Sequence, residues 1–188
     1  MYSFIQRFFI LNITIIITKN LFLKNILLIS DTHSHLDKAL LKHMEAADEV
    51  WHAGDIGNIE LVTDVIKKIK PLKAVYGNID DADARKEFPK NLIFTCEDVK
   101  VFITHICGQP ANYLKEVKDI LIAEKPKLFI CGHSHILKVM YQQQYDILHM
   151  NPGSCGINGF HQIKTVLRFV IDKDEVKDLA VIELGSRT

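Results

Sequence analysis

The sequence predicts an α/β fold in which two mixed β-sheets form a sandwich with helices on the outside. From residue 26 onwards, short apolar runs alternate with longer amphipathic stretches, which is the pattern of strands followed by helices. After Pro89 the apolar runs follow one another closely, which indicates neighbouring strands. The chain has 188 residues, of which 48% are hydrophobic, and this suits one domain with a substantial buried core.

The first half of the chain predicts two β–α–β units. Each predicted strand is short and apolar, and each predicted helix carries apolar residues three or four positions apart with charged residues between them. Pro71 ends the second helix, because proline lacks the backbone N–H that a helix interior needs. The predicted strands are 26–29, 50–53 and 72–76, and the predicted helices are 36–47 and 59–69.

The second half predicts mostly strands. A short acidic connection joins the first two of them, a strand pair follows later, and the last two form a hairpin that turns at residues 172–174. The predicted elements are strands 92–95, 99–104, 128–131, 137–141, 147–150, 162–171 and 176–184, and a helix over 113–124.

Residues 1–25 predict an atypical extension before a single domain over 26–188. The extension contains no Gly, Ala, Val, Pro, Asp or Glu. Its apolar run, 8–17, is shorter than the roughly 20 residues that a membrane-spanning helix needs, and no small-residue cleavage site follows it. We therefore expect no membrane span, and one hypothesis is that the start of the chain is assigned too far upstream.

Charge and cysteine content narrow the class of protein. Lys plus Arg number 23 and Asp plus Glu number 23, so no net charge attracts polyanions, and nucleic acid is not implied as a partner. Cys96, Cys107, Cys131 and Cys155 contain no CxxC pair, and their spacing matches neither a zinc ribbon nor a dense disulfide framework. A reducing, cytoplasmic location fits this usage. We interpret Cys131 and Cys155 as small buried packing residues.

Asp, Asn and His residues follow five of the predicted strands. In open α/β sheets, the loops beyond the carboxyl ends of the strands converge on a ligand. Carboxylate and amide oxygens mixed with imidazole suit Mn²⁺, Fe²⁺ or Zn²⁺, and a dinuclear site is the simplest use for so many ligands. The five segments are Asp31-x-His33, Gly54-Asp55, Gly77-Asn78, His105 and Gly132-His133-x-His135.

The spacing within two of these segments predicts how their side chains point. In extended chain, residues two apart lie on the same side, so Asp31 and His33 are expected to grip one metal together, and so are His133 and His135. Glycine stands directly before three of the candidates, where it leaves room for a sharp turn and a close approach of the backbone.

The order of these blocks resembles the calcineurin-like metallophosphoesterase superfamily, whose pattern is D-x-H, G-D, G-N-[HC]-[DE], a lone H and G-H-x-H. All five blocks occur in that order, and the resemblance runs from about residue 26 to beyond His161. The chain length, the block 77–80 and the Asn-Pro-Gly-Ser segment 151–154 are similar to the small YfcE-like phosphodiesterase branch.

The resemblance implies the metallo-dependent phosphatase fold, with α/β/β/α layers, and hydrolysis of a small phosphodiester or monoester. It implies two divalent metals, Mn²⁺ before Ni²⁺, Fe²⁺, Co²⁺ or Zn²⁺, with attack by a water held between them. By similarity, Asp55, Asn78 and His105 are catalytic, and Asp55 bridges the metals. One metal is then held by Asp31, His33, Asp55 and His135, and the other by Asp55, Asn78, His105 and His133.

One position departs from the larger relatives. Many of them carry His after the Asn, where it can protonate the leaving oxygen, whereas this chain has Ile79. This favours esters with acidic leaving groups and leaves the proton donor open, with Asp80 or a water as candidates. A further hypothesis is that His161 faces the substrate phosphate.

Two other functions stay open beside hydrolysis. The phosphoesterase-like subunit of eukaryotic retromer keeps this fold while serving mainly as a protein-interaction scaffold, and a metal-storage or sensing protein would bind metal without hydrolysing anything. A homodimer is a further option, because small members of such families often pair through exposed sheet edges.

Overall fold

The computed structural model describes residues 23–110 and 112–187. Helices alternate with strands in the first part of the described chain, and strands dominate the second part. In chain order the helices are α1 (Lys38–Ala46), α2 (Thr63–Ile69), α3 (Ala82–Glu87) and α4 (Lys115–Glu124). The strands are β1 (Leu23–Ile29), β2 (Glu49–His52), β3 (Leu72–Ala74), β4 (Asn91–Cys96), β5 (Val99–Thr104), β6 (Gly108–Gln109), β7 (Asn112–Tyr113), β8 (Leu128–Ile130), β9 (Leu137–Gln142), β10 (Ile147–Pro152), β11 (Ile163–Asp172) and β12 (Glu175–Ser186).

Two five-stranded mixed sheets make up the sandwich. The first has the strand order β12-β11-β1-β2-β3, with β1, β2 and β3 parallel and β11 antiparallel to β1. The second has the order β4-β5-β8-β10-β9, with β5, β8 and β10 parallel and the outer strands antiparallel to their neighbours. The predicted fold class is confirmed, as are the two β–α–β units, the strand pair and the final hairpin.

The alternation of side chains along β1 explains how the first sheet is covered on both faces. Ile26 and Leu28 point into the core between the sheets, where they join Trp51. Leu27 and Ile29 point to the opposite face and pack with residues of α1 and α2. These four residues of β1 are fully buried, as expected for the part of a strand with apolar contacts on both sides.

The second sheet is built in the same way. Val101 faces the core between the sheets, while Phe102 and Phe129 stack on the outer face with ring centroids 5.0 Å apart. Val117 and Leu121 of α4 cover these rings. The layers are therefore helix, sheet, sheet and helix, which is the predicted α/β/β/α arrangement.

The start of the described chain lies in β1. Residues 1–22 of the predicted extension lie outside the described residues, whereas 23–25 form the beginning of the strand. The backbone N–H and the side-chain amide of Asn25 both donate to Asp48 Oδ2, at 2.8 and 3.0 Å. Within the described part of the chain, no helix is both long enough and apolar enough to cross a membrane.

Three local features differ from the prediction. α2 begins at Thr63 rather than at 59, and α4 begins at Lys115 because Tyr113 pairs with Gly108 between β6 and β7. The short helix α3 lacks an apolar repeat that would predict it, since Ala84 is the residue it buries.

Asp37 ties α1 to the first sheet. Its Oδ1 accepts the backbone N–H of Ala39 at 2.8 Å and caps the helix. Its other oxygen pairs with Lys164 Nζ of β11 at 2.5 Å. The hydrogen bond from Lys164, followed by that from Ala39, lowers the pKa of Asp37 below its ordinary value.

We predict that Asp37→Ala lowers the free energy of unfolding by about 2 kcal/mol, because α1 loses its cap and Lys164 is left unpaired. Asp37→Asn keeps a capping oxygen and removes only the charge, so its loss is smaller. Since the native pKa of Asp37 is lowered, the charge contribution is complete above the unfolded pKa of about 3.9 and disappears as the pH falls through the native pKa. Urea unfolding at pH 7 and near pH 3 measures this, and an equal Asp37→Asn deficit at both pH values would contradict it.

Candidate metal centre

The five predicted segments follow β1, β2, β3, β5 and β8. These strands run parallel within their sheets, so their carboxyl ends lie at the same edge of the sandwich. The loops meet there and bring their polar side chains into two clusters, each of which can hold a metal ion.

The first cluster consists of Asp31, His33 and His135, which offer ligand atoms that all lie within 4.8 Å of one another. His135 Nε2 lies 3.2 Å from Asp31 Oδ1. The rings of His33 and His135 meet edge to face with centroids 5.5 Å apart. The cluster therefore combines one carboxylate with two imidazoles around a common centre.

The second cluster consists of Asp55, His105 and His133, again with ligand atoms within 4.8 Å. His105 Nε2 lies 3.1 Å from Asp55 Oδ1 and 3.2 Å from Asn78 Oδ1. The rings of His105 and His133 are 5.2 Å apart. Asn78 thus adds an amide oxygen to the same set of donors.

Asp55 connects the two clusters. Its Oδ1 faces His105 of the second cluster, while its Oδ2 lies 3.7 Å from His33 Nε2 of the first. All seven residues predicted as ligands are thereby brought together in one place.

Two polar atoms of the first cluster lack hydrogen-bond partners. Asp31 Oδ1 and His33 Nε2 are buried, and neither makes a hydrogen bond of acceptable geometry with the described residues. His135 Nε2 lies 3.2 Å from Asp31 Oδ1 but does not meet that geometry. An unpaired buried carboxylate oxygen costs free energy that a cation recovers. The donor set contains oxygen and imidazole nitrogen without sulfur, which suits borderline and hard divalent ions. These residues therefore fit a divalent metal.

Asp55 and His105 favour each other's charged form. Burial disfavours the charged form of each, but their mutual hydrogen bond outweighs it, so the pKa of Asp55 is lowered and that of His105, which also feels the negative charge of Asp31, is raised. Burial and then the charge of His105 lower the pKa of His133. His105 Nδ1 lies 2.8 Å from the carbonyl oxygen of Ala53, the backbone contact that commonly orients a metal-binding histidine.

The backbone of the ligand loops is not extended, which corrects the prediction. Asp31, His33, His133 and His135 have φ values of 56°, 47°, 66° and 57°, in the left-handed region. Asp31 and His33 share a cluster, whereas the ligand atoms of His133 and His135 belong to different clusters. Tight turns, rather than the alternation of a strand, place these side chains.

Left-handed backbone at a residue other than glycine costs roughly 1–2 kcal/mol. Cross-loop hydrogen bonds hold it in place: the N–H of Asp31 donates to Gly54 O at 3.0 Å, and the N–H of His33 donates to Asp55 O at 3.1 Å. Strain held at converging polar side chains is typical of functional sites.

Residues 25–174 match the model of the calcineurin-like phosphoesterase superfamily domain. The chain belongs to this superfamily. Membership supports metal-dependent phosphoesterase activity, in agreement with the donor set described above. No curated protein sequence matches the chain.

Solved structures with this fold come from all three domains of life. A conserved uncharacterized protein from Streptococcus pneumoniae TIGR4, described as a predicted phosphoesterase, is 22% identical, with a TM-score of 0.63 over 86% of this chain and 90% of that chain. A novel archaeal phosphodiesterase is 23% identical, with a TM-score of 0.61 over 85% and 99%. Wild-type Vps29 from Entamoeba histolytica, complexed with Zn²⁺, is 15% identical, with a TM-score of 0.65 over 87% and 99%.

Other residues of this superfamily domain hold the ligand loops in place. Asn151 Nδ2 donates to Gly132 O at 2.8 Å and to Ser134 Oγ at 3.1 Å, and Ser154 Oγ donates to Asp31 O at 3.0 Å. The Asn-Pro-Gly-Ser segment therefore supports a loop of each cluster. The sequence marked this segment as a point of resemblance to the small phosphodiesterases, but it did not predict that the segment supports the ligand loops.

Asp80 holds two loops together through hydrogen bonds to their backbones. It is buried, and its two oxygens accept the N–H groups of Gly57 at 2.8 Å and Gly77 at 2.6 Å. Both oxygens are thus occupied by backbone donors, which argues against Asp80 as the proton donor for a leaving group.

His161 lies beside the first cluster, with its ring 5.3 Å from that of His135.

Gly77 is required by the close approach of Asp55. A Cβ at this position would overlap the Oδ1 and backbone N of Asp55. We predict that Gly77→Ala displaces the Asp55 carboxylate and weakens Mn²⁺ binding by about 10–100-fold, the range seen when the groups that orient metal ligands are lost. Isothermal titration of the folded variant with Mn²⁺ measures the change.

Ile79→Ala in the same loop is the matched control. Ile79 is 45% exposed, and its backbone N–H, which donates to Asp55 Oδ1 at 3.1 Å, survives the substitution. We expect wild-type affinity from it. Unchanged Mn²⁺ binding by a folded Gly77→Ala protein would contradict the expected role of the Asp55 carboxylate in metal binding.

Proposed function

We propose that this protein is a phosphodiesterase that uses two divalent metal ions to hydrolyse a small phosphate ester. The observation that carries the proposal is the position of Asp55, whose two oxygens face donors of different clusters. In the proposal Asp31, His33, Asp55 and His135 hold one ion, and Asp55, Asn78, His105 and His133 hold the other.

The proposed metal is Mn²⁺, with Ni²⁺, Fe²⁺, Co²⁺ and Zn²⁺ as alternatives, because the donor set lacks the sulfur that would select a softer ion. When bound, such ions supply Lewis acidity and an activated water for attack on phosphorus. The protein's own part is to hold the ligands rigidly, through Asn151, Ser154 and Asp80, and to position the ester.

A cavity beside the second cluster supports a diester substrate. Its volume is about 380 Å³, and Asn78 and His105 form one wall. Ile106 and Leu114 line it with apolar surface, and the guanidinium of Arg85 adds a positive charge. Such a cavity suits an apolar or aromatic ester group attached to the anionic phosphate.

The scaffold function is the second candidate, and the fold shared with Vps29 favours it. Because that Vps29 is complexed with Zn²⁺, metal binding alone does not separate an enzyme from a scaffold or a metal-storage protein. Turnover does separate them, since only the enzyme consumes an ester. The assay below is therefore based on catalysis.

We predict that the purified protein with Mn²⁺ hydrolyses bis-p-nitrophenyl phosphate, followed by absorbance of the released nitrophenolate. Asp55→Ala and His133→Ala are expected to lower kcat/KM by about a thousandfold, equivalent to roughly 4 kcal/mol, because each removes a proposed metal ligand. Asp119→Ala is the control, since this carboxylate is exposed on α4 and pairs only with Lys115 among the described residues. Inactivity of the wild type with Mn²⁺, Ni²⁺, Co²⁺ and Zn²⁺, on diesters and monoesters alike and despite stoichiometric metal, would defeat the proposal.

We predict a steep dependence of rate on the leaving group. Ile79 offers no proton to the departing oxygen, so kcat/KM for a series of aryl diesters should fall strongly as the pKa of the leaving phenol rises. Ile79→His places an imidazole in this position and should flatten the dependence. Wild-type rates that are independent of the phenol pKa would mean that another group donates the proton or that the chemical step is not rate-limiting.

A further inference from the structure

A third donor cluster lies outside the proposed hydrolytic site. Cys107, Cys131 and His149 are all buried, and they offer two sulfurs and an imidazole nitrogen within 4.8 Å of one another. The two sulfurs are 2.6 Å apart, and His149 Nε2 lies 3.9 Å from Cys131 Sγ. The proposed hydrolysis uses none of these groups.

The second sheet fixes the position of this cluster. Cys131 directly follows β8, His149 lies in β10, and Cys107 lies in the loop after β5. These strands are parallel neighbours, with Phe129 of β8 opposite His149. His149 therefore stands on a strand, and the two cysteines lie just beyond the ends of the neighbouring strands, so the second sheet brings the three donors together.

Tyr113 orients His149. The Tyr113 hydroxyl lies 3.0 Å from His149 Nδ1, which leaves Nε2 directed towards Cys131. Metal-binding histidines commonly have such a partner on the second ring nitrogen, and it fixes both tautomer and ring orientation.

A cavity gives access to the cluster. Its volume is about 320 Å³, and both sulfur-bearing residues and His149 are part of its lining. Three protein ligands facing a cavity leave a fourth tetrahedral position for water or a small ligand, and the cavity provides an entry path. Asn151 Nδ2, 3.8 Å from Cys131 Sγ, can donate to a thiolate there.

We propose that Cys107, Cys131 and His149 form a third metal site, which takes a thiophilic d¹⁰ ion, Zn²⁺ or Cu⁺. Thiolate and imidazole donors select these ions over Mn²⁺. Binding releases the two thiol protons to solvent, and with Zn²⁺ the two thiolates neutralise the ion. At a Zn–S length of about 2.3 Å, tetrahedral thiolates lie about 3.8 Å apart, so the sulfurs separate by roughly 1.2 Å on binding.

The site adjoins the hydrolytic loops. Cys107 is two residues after His105, and Cys131 is two residues before His133. An ion held between them braces the two loops that carry histidines of the second cluster. The site is therefore expected to stabilise the fold around the proposed centre without contacting the substrate.

Cobalt substitution tests the proposal on the full-length, fully reduced protein. Co²⁺ bound to thiolates gives a near-ultraviolet charge-transfer band, whereas Co²⁺ on oxygen and imidazole alone does not. We expect the band in wild type, in Cys96→Ser and in Asp55→Ala, and its loss in Cys131→Ser. Cys96 is a matched control, being a buried thiol outside the donor clusters of the described residues. Asp55→Ala removes a ligand of the proposed hydrolytic centre but none of the sulfur cluster, so a band in this variant tests the third site separately from the phosphodiesterase proposal.

Tyr113→Phe provides a second test that keeps all three ligands. Without the hydroxyl that contacts His149 Nδ1, the Co²⁺ affinity of the site is expected to fall by about 10–100-fold, measured by titration of the charge-transfer band. One equivalent of Zn²⁺ or Cu⁺ should displace the Co²⁺ and abolish the band.

Two results would overturn the proposal. One is a reduced, folded wild type that binds Co²⁺ without a charge-transfer band. The other is a peptide map joining Cys107 to Cys131 by a disulfide, in a protein that takes up no thiophilic ion even after reduction.

Discussion

Two buried carboxylates, those of Asp31 and Asp55, are the constraint on which the rest of this structure depends. Asp31 is 0% exposed and Asp55 is 2% exposed, and a carboxylate in such a place persists only when positive charge or hydrogen-bond donors surround it. Histidines and backbone N–H groups meet part of this need, yet Asp31 Oδ1, with His135 Nε2 3.2 Å away, accepts no hydrogen bond of acceptable geometry from the described residues. The convergence of ligands, the left-handed turns and the crowded glycines are the means by which the chain places positive charge there.

The sandwich itself is needed to assemble this arrangement. The first sheet delivers Asp31, Asp55 and Asn78 from the ends of β1, β2 and β3, whereas His105 and His133 come from the ends of β5 and β8 in the second. The core between the sheets, filled by alternate residues of each strand, sets the distance between the two groups of loops. A change in the packing of that core would therefore alter the distances between the metal-binding side chains, because close-packed interiors transmit strain.

The sequence predicts much of this, for a physical reason. Each candidate ligand stands next to an apolar run, and apolar runs reveal strands because burial on both faces requires them. Conformations set by contacts between loops are harder to predict: the left-handed backbone at His133 and His135, which puts them in different clusters, depends on neighbouring loops rather than on residue type. Cys107, Cys131 and His149 give no spacing signal, since they meet only through the pairing of β8 with its two parallel neighbours. The short helix α3 is missed because it lacks an apolar repeat.

The two kinds of donor on the same loops have a consequence for metal selection. By raw affinity, Zn²⁺ and copper displace Mn²⁺ from almost any site of nitrogen and oxygen ligands, so a protein that works with Mn²⁺ must rely on ligand type and metal supply. Here sulfur is confined to one side of the loop around Gly132, and oxygen with imidazole lies on the other. If the sulfur cluster binds as proposed, a stoichiometric amount of a thiophilic ion goes there first, and the sulfur-free centre of oxygen and imidazole donors remains for a harder ion. Separation of donors by two residues of backbone would then let one loop distinguish two classes of metal.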